Sequence, residues 1–437
     1  MNNGVYPVGR CKATGEGPPS RQRVAMWKAV GKCCYAHAMV SGISSQRVRI
    51  VVVGGGPAGV ATARALRKFA PELADQTILL ERAPGRRKKL CGGGLTGACV
   101  KELRRLDLEI RVPAIPIRRA VFAYENIRKA FDFESEAFVV RRDDLDDDLM
   151  AQVEKDVAVH RGERARSLSR DWDQLIVETD LTTYRTDLVV GADGVGSVVR
   201  RFLFGELGRK LEPVSRLYQA DLTEPVREEE AGTMTFDFSV LNAGVHGYFW
   251  AFPSEVSGES VINTGVMHLP PYGSTNVMDV FRQTLQRRGY RMASETRIHS
   301  YPEIAYHPKR PISGNNIMLV GDAAGIEPLT GEGLAQCIAY GFHAGCFAKE
   351  QLGKGNTQLA GFRRRISRSP VGHEMRFARW IAGRIYGPNW RFWVDLFLKR
   401  SRVGELLSQQ TQGQDQLHKH LPIFHWYYIA HKLGWRG

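Results

Sequence analysis

The first regular pattern along the chain begins at Val48. Arg49-Ile50-Val51-Val52-Val53 is a short, mostly apolar, β-branched run without alternation, the pattern of a strand buried on both faces. From Ala58 to Phe69 the residues Val60, Ala61, Ala65 and Leu66 mark the inner side of a helix, and Thr77-Ile78-Leu79-Leu80-Glu81 reads as a second buried strand. The order β-α-β predicts a parallel sheet with a helical crossover. Further along, Thr235-Phe236-Asp237-Phe238-Ser239-Val240 alternates polar with apolar residues, which predicts a strand with one wet face. Tyr248–Phe252 and Val261–Met267 are further strand candidates, and helical patterns return from Leu334.

These patterns divide the chain. Residues 1–46 show no sustained periodicity and are expected to be a disordered extension. Met39 precedes the first strand closely, so residues 1–38 are expected to be dispensable. The α/β domain is expected over 47–204, with 300–352 returning to it, and an antiparallel sheet over 205–299. Residues 353–437 read as a helical, aromatic and basic C-terminal region, in which the Gln-rich stretch 408–416 is a linker. The fold class is α/β: a Rossmann-type domain interleaved with an antiparallel-sheet domain.

Charge changes this picture more than composition does. The formal net charge is +15, concentrated in runs such as Arg86-Arg87-Lys88-Lys89, Arg363-Arg364-Arg365 and Lys399-Arg400. Such a surplus favours an anionic partner, and a solvated basic surface stays equally open for each run taken alone. Zinc-finger spacing, RNA-binding aromatic signatures and heptads do not occur, so neither nucleic acid nor a metal site is expected. No run of eighteen apolar residues appears, and Met1–Arg10 lacks the apolar stretch of a secretory signal. Seven scattered cysteines fit reduced thiols, which places the protein in the cytoplasm.

The chemistry begins at Gly54-Gly55-Gly56-Pro57-Ala58-Gly59, a G-x-G-x-x-G run between the first strand and the first helix. Gly54 permits the tight turn, Gly56 lets a pyrophosphate touch the backbone, and Gly59 lets helix and strand pack closely. Pro57 and Ala58 open the helix, whose N-terminus offers free N–H groups and partial positive charge. Glu81 ends the next strand, 27 residues after Gly54, where it can accept hydrogen bonds from a ribose 2′-OH; Arg82 follows it. An acid there fits FAD or NAD.

Two later segments favour FAD. Leu188-Val189-Val190-Gly191-Ala192-Asp193-Gly194 is a buried strand running into an acid-glycine turn, and Ile317 to Gly325 repeats that logic through Gly321-Asp322. An aspartate at such a strand end can accept a hydrogen bond from a polyol, which the ribityl chain of FAD supplies and NAD lacks. Gly331 and Gly333 flank Glu332 and open a helix whose positive end would face the flavin pyrimidine.

The glycine-rich turn, the Asp193 turn and the Gly321-Asp322 segment resemble the flavoproteins grouped with p-hydroxybenzoate hydroxylase, over most of residues 48–350. In that group an arginine in an R-x-x-F/L-D pattern contacts FAD, which implies Arg142 in Arg142-Asp143-Asp144-Leu145-Asp146, with Arg141 its neighbour. Within the group the chain is similar to the geranylgeranyl reductase family, which saturates polyprenyl double bonds. Lys89-Leu90-Cys91-Gly92-Gly93-Gly94 resembles that family's Lys-Pro-Cys-Gly-Gly-Gly loop, with Leu90 in place of proline. Tyr248-Phe249-Trp250-Ala251-Phe252-Pro253 resembles its substrate-side motif, with Val245 in place of the leading proline.

Beside a flavin, Gly92 and Gly93 would let the backbone pass close to a flat ring, and Cys91 would act as catalytic proton source or soft contact; a buried small residue is the bland alternative. Cys99, Cys337 and Cys346 sit in helical apolar contexts and are expected in the core. Tyr248, Trp250 and Phe252 alternate and therefore share one strand face, a wall suited to an apolar or lipid substrate or to plain core packing. The resemblance implies an FAD-dependent oxidoreductase acting on isoprenoid double bonds. A monooxygenase or halogenase and a non-redox flavoprotein are its rivals. A single nucleotide-binding unit is read, so the reductant, NAD(P)H or a protein donor, must dock transiently. Clustered C-terminal tryptophans and arginines suggest peripheral contact with the inner face of a membrane.

Overall fold

Val51, Val52, Leu79, Val189 and Val190 have no exposed surface, because the strands that carry them lie in the middle of a parallel sheet. The computed structural model describes residues 45–210, 214–271, 273–400, 403, 405–406, 409 and 417–433. The sheet runs Ala158–Arg161, Thr77–Glu81, Ser45–Val53, Thr183–Gly191 and Ile317–Leu319, each paired in parallel with its neighbour. Its fifth strand arrives more than a hundred residues after the fourth, so the chain leaves this layer and comes back to it. Ser45 and Gln46, counted from sequence with the extension, instead begin the first strand; the rest of the expected extension and, apart from Gln409, the Gln-rich linker lie outside the described residues.

The first helix, Pro57–Phe69, packs against the long buried helix Leu334–Leu352 through small residues. A Cβ on Gly341 would overlap the Ala58 carbonyl, and one on Gly345 would lie 2.6 Å from the Ala65 methyl. Glycine on one helix and alanine on the other thus let the two backbones approach, which fixes the start of both helices at one end of the sheet.

The second layer has seven strands in the order His299–Ile304, Val214–Leu222, Glu259–His268, Phe249–Val256, Thr233–Asp237, Arg119–Tyr124 and Ile127–Asp132. Two strands come from 119–132, inside the stretch assigned from sequence to the α/β domain, and the 119–124 strand pairs in parallel with 233–237. The sheet is therefore mixed at that point and antiparallel elsewhere. The interleaving runs deeper than the pattern suggested: Gly94-Leu95, Ala114–Pro116 and Phe138–Val140 form a small third sheet between the two layers.

The strand expected over 235–240 stops at Asp237, whose carboxylate accepts from the Ser239 N–H at 2.8 Å and starts a 3-10 turn over Phe238–Ala243. Its expected wet face is dry. Thr235 and Asp237 are 6% and 3% exposed, and Asp237 pairs with Arg288 at 2.9 Å at the end of helix Val277–Arg287. The alternation was real, but a helix covers the polar face and an ion pair satisfies it. Val240, Val245, Phe249, Ala251 and Ile262 pack with Phe281 on that side. On the opposite side Tyr248, Trp250 and Phe252 join one cluster with Phe377, Trp393, Phe397 and Phe424 of the C-terminal helices. Those helices, Pro370–Ile385, Trp390–Lys399 and Leu421–Lys432, make up the expected helical C-terminal region.

Candidate active site

At the end of the first strand, Gly54 has φ +107°, and a Cβ there would overlap the Ala192 carbonyl. A Cβ on Gly59 would overlap the Gly54 carbonyl, so both glycines are required by close approach. Helix Pro57–Phe69 has proline in its first turn and no side-chain cap, and Gly54, Gly56, Pro57 and Ala58 line a cavity of about 430 Å³. An uncapped helix N-terminus opening on a cavity is an anion site by construction. Glu81, 5% exposed, accepts from the Gly55 N–H at 3.0 Å and the Ala83 N–H at 2.9 Å. Glu81 and Arg82 line the same cavity.

Asp193 stands at the end of its strand, as expected. It lines the cavity, yet its oxygens accept from the Ser197 hydroxyl and from the Val198 N–H at 2.7 Å, starting the helix at Val198. The adjoining backbone of Gly194 to Gly196 also lines the cavity.

In the same cavity, Asp322 sits in a 3-10 turn that begins at Gly321, and Lys89 Nζ lies 3.3 Å from its carboxylate. Arg142 is buried and donates from Nε and Nη2 to Asp146 at 3.1 and 3.0 Å; Arg87 reaches the same carboxylate. Burial opposes the charge on Arg142, but Asp146 holds it protonated. Arg142 Nη1 stands 3.6 Å from the sulfur of Cys91, which also accepts from the Gly93 N–H at 3.4 Å. The basic run Arg86 to Lys89 is divided: Arg86 and Lys88 are exposed, and Arg87 and Lys89 are not. Arg86 pairs with Asp143 and Asp144 at the rim, while Arg87 and Lys89 turn into the cavity.

Tyr248, Trp250 and Phe252 line the cavity together, as the strand pattern predicts. Trp250 donates to Asn263 at 2.9 Å, Asn263 donates to Asp221 at 2.7 Å, and Tyr248 donates to the Thr330 carbonyl. The Phe252 ring passes so near Gly92 that a Cβ there would lie 2.9 Å from it. Phe236 adds a ring 5.2 Å from Phe252 and 5.5 Å from Tyr248. A second cavity of about 100 Å³ adjoins the first through Phe122, Thr330 and Glu332, and continues between Phe377, Ile385 and Phe397 under the C-terminal helices.

Four groups escaped the sequence reading. Glu327 accepts from the N–H groups of Leu329, Thr330 and Glu332 at 2.6, 2.8 and 3.0 Å, so one buried carboxylate shapes the Gly331–Gly333 loop. Burial pushes the carboxyls of Glu303 and Glu332 up to about 8, and burial likewise raises the Tyr301 phenol. Glu332 stands inside the quoted glycine loop, and Glu327 a few residues before it. Glu303 and Tyr301 carry no signal, since only the strand His299–Ile304 brings them to the cavity. Of the expected residues, Cys91, Gly92, Gly93, Arg142, Asp322, Gly331, Gly333, Tyr248, Trp250 and Phe252 line one cavity with the phosphate cradle. Gly59 and Gly321 lie beneath its lining. Cys99 and Cys337 are buried, Cys346 half-buried, and Cys337 also reaches the cavity.

A cavity that joins a helix N-terminus and a ribose-ready acid to three cations among carboxylates suits a twice-phosphorylated dinucleotide. Substituting a methyl at Gly56 would meet only the Arg87 guanidinium, at 3.1 Å, so the space before it belongs to the cavity. Fold and site define the FAD-dependent flavoprotein oxidoreductases, and residues 47–245 match the FAD binding domain family. Over a longer stretch the chain is similar to several reductases. It is 27% identical over 328 residues to a menaquinone reductase of Mycolicibacterium smegmatis, covering 71% of this chain and 77% of the relative. It is 25% identical to a digeranylgeranylglycerophospholipid reductase of Thermoplasma volcanium, covering 69% and 78%. A geranylgeranyl bacteriochlorophyll reductase-like protein of Thermoplasma acidophilum superimposes with a TM-score of 0.69 at 20% identity, over 82% of this chain and 91% of that one. A flavin-dependent halogenase shares the fold at a TM-score of 0.61 and 19% identity, over 84% and 72%.

Proposed function

We propose that this protein reduces carbon–carbon double bonds in a polyprenyl chain or a similar apolar lipid. The observation that carries the reading is the continuity of the cavities. The aromatic wall Tyr248-Trp250-Phe252 leads past Phe122 into a mostly apolar passage lined by the C-terminal helices, a shape that suits an apolar chain. Similar proteins include a menaquinone reductase and a digeranylgeranylglycerophospholipid reductase.

FAD held in the cradle supplies the electron pair that saturation of a double bond requires. The chain's own residues do the rest. Gly54 to Ala58 hold the pyrophosphate, Glu81 takes the ribose, and Lys89, Arg142 and Asp322 set the charge around the ring end. Cys91, turned into the cavity beside Arg142, delivers the proton to the carbon opposite the hydride. The reductant that recharges the flavin is NAD(P)H or a protein donor, docking transiently.

Anaerobic incubation of chemically reduced protein with a polyprenyl lipid tests this. The expected product is heavier by two hydrogens per bond saturated. Product that forms only with stoichiometric oxygen uptake would assign the site to a monooxygenase instead, and a flavin that no substrate reoxidises would make it a non-redox flavoprotein.

A further inference from the structure

The last helix, Leu421–Lys432, is apolar on both of its sides. On the inner side Phe424 has no exposed surface and its ring lies 5.3 Å from that of Phe377, while Tyr428 stacks on Trp393 at 5.6 Å. The outer side carries Trp426, Ile429 and, just past the helix end, Leu433, which are 60%, 56% and 83% exposed. Spacings of three and four residues put all three on one stripe. Among the described residues six large hydrophobic side chains are exposed, and half of them stand on this stripe. Water tolerates scattered apolar side chains, but a contiguous row on a helix that is itself firmly anchored calls for a partner surface.

The charge of the C-terminal region says which kind. Residues 361–437 hold fourteen Lys and Arg against four Asp and Glu, a surplus of ten out of the whole chain's +15. Arg363, Arg364, Arg368, Arg391, Lys399 and Lys419 are all exposed. A second copy of this chain would bring the same surplus to the contact and be repelled, whereas anionic headgroups are attracted. Tryptophan favours the boundary between hydrocarbon and water. A helix of this length spans roughly 18 Å, well short of the roughly 30 Å of a hydrocarbon core, so it lies in the interface and does not cross. Among the described residues no helix is long and apolar enough to cross.

We propose that the Trp426-Ile429-Leu433 stripe docks the protein reversibly on an anionic phospholipid surface, with the basic C-terminal helices holding it there. The stripe and its charge stand without the lipid-substrate reading, and the test measures binding rather than turnover. Vesicles of mixed phosphatidylglycerol and phosphatidylcholine, and vesicles of phosphatidylcholine alone, are floated with the flavin-loaded full chain at low and high ionic strength. Binding is expected with anionic vesicles at low salt, falling at least tenfold at high salt and on neutral vesicles. The Trp426→Ser/Ile429→Ser/Leu433→Ser variant is expected to lose binding at least tenfold while keeping its flavin spectrum and melting temperature. Arg363→Glu/Arg364→Glu is expected to weaken binding and flatten its salt dependence. Failure to float with anionic lipid, or flotation unchanged in the triple variant, would overturn the proposal. So would a dimer in solution that the triple variant splits, which would make the stripe a contact between copies.

Discussion

Lys89 Nζ lies 3.3 Å from the carboxylate of Asp322, although 233 residues separate the two in sequence. The pair ties the cysteine loop to the strand end that closes the parallel sheet. Burial opposes the charge on Asp322, but Lys89, with Arg142 behind it, holds its carboxyl below the usual carboxylate range, and Asp322 in turn raises Lys89. Asp322 therefore contributes stability that is present above the ordinary aspartate pKa and is lost as pH falls through the lowered one. Lys89→Met should destabilise the flavin-free protein by leaving a carboxylate unpaired. The side chains are 28% and 17% exposed, which discounts the cost of breaking a buried pair to about 1–3 kcal/mol. A denaturant double-mutant cycle with Asp322→Asn should show a coupling of that order; additive effects would mean the pair carries none.

Gly56 and Gly59 should separate flavin binding from folding. A methyl on Gly56 meets only the mobile end of Arg87, so Gly56→Ala should fold with a melting temperature near wild type while retaining FAD poorly, and Gly56→Val should retain none. A methyl on Gly59 overlaps the Gly54 carbonyl, so Gly59→Ala should lower stability by several kcal/mol. FAD released on denaturation and the melting temperature, measured together, check both. A Gly56→Val protein that comes out yellow would contradict the cradle.

What could be read from the chain follows the range of the forces involved. The cradle was legible because turn, helix start and strand end are local, and their residue types are fixed by backbone geometry within thirty residues. Tyr248, Trp250 and Phe252 were legible as a face because side chains alternate along a strand. The strand at 119–124 was not, since its place in the second sheet depends on parallel pairing with 233–237 across more than a hundred residues. Arg87 and Lys89 looked like surface charge because nothing near them in sequence reveals Asp146 and Asp322, the carboxylates they meet. The dry polar face of Thr235 and Asp237 was missed for the same reason: Arg288 lies fifty-one residues away.

Cys91 can be tested apart from the cradle. Cys91→Ser keeps the size and removes the softer acid, so the variant should bind FAD and melt as wild type does. Single-turnover reduction of a polyprenyl lipid should slow by about tenfold to a thousandfold, within the range of positioned acid catalysis. Equal rates and identical products in the two proteins would leave Cys91 as a packing residue beside Arg142.

Glu332 makes the lipid passage sensitive to pH. It lines both cavities and accepts from the Thr96 hydroxyl, and burial, with the nearby charges of Glu327 and Glu374, pushes its carboxyl up to about 8. At neutral pH Glu332 itself is then mostly neutral, which costs an apolar tail less than a further carboxylate beside Glu327 and Glu374 would. The folded pKa lies above the unfolded one. The associated stability is complete below the unfolded value of about 4.5, and falls by up to about 1.4 kcal/mol per pH unit until it is gone above about 8. Glu332→Gln should flatten the decline of the flavin-free melting temperature between those limits. Some slope should remain, because Glu303 is raised to about 8 as well. In turnover, kcat/KM for an apolar substrate should drop above pH 8 in the wild type and drop less in Glu332→Gln. Parallel pH profiles in the two proteins would show that Glu332 ionises without reaching the passage.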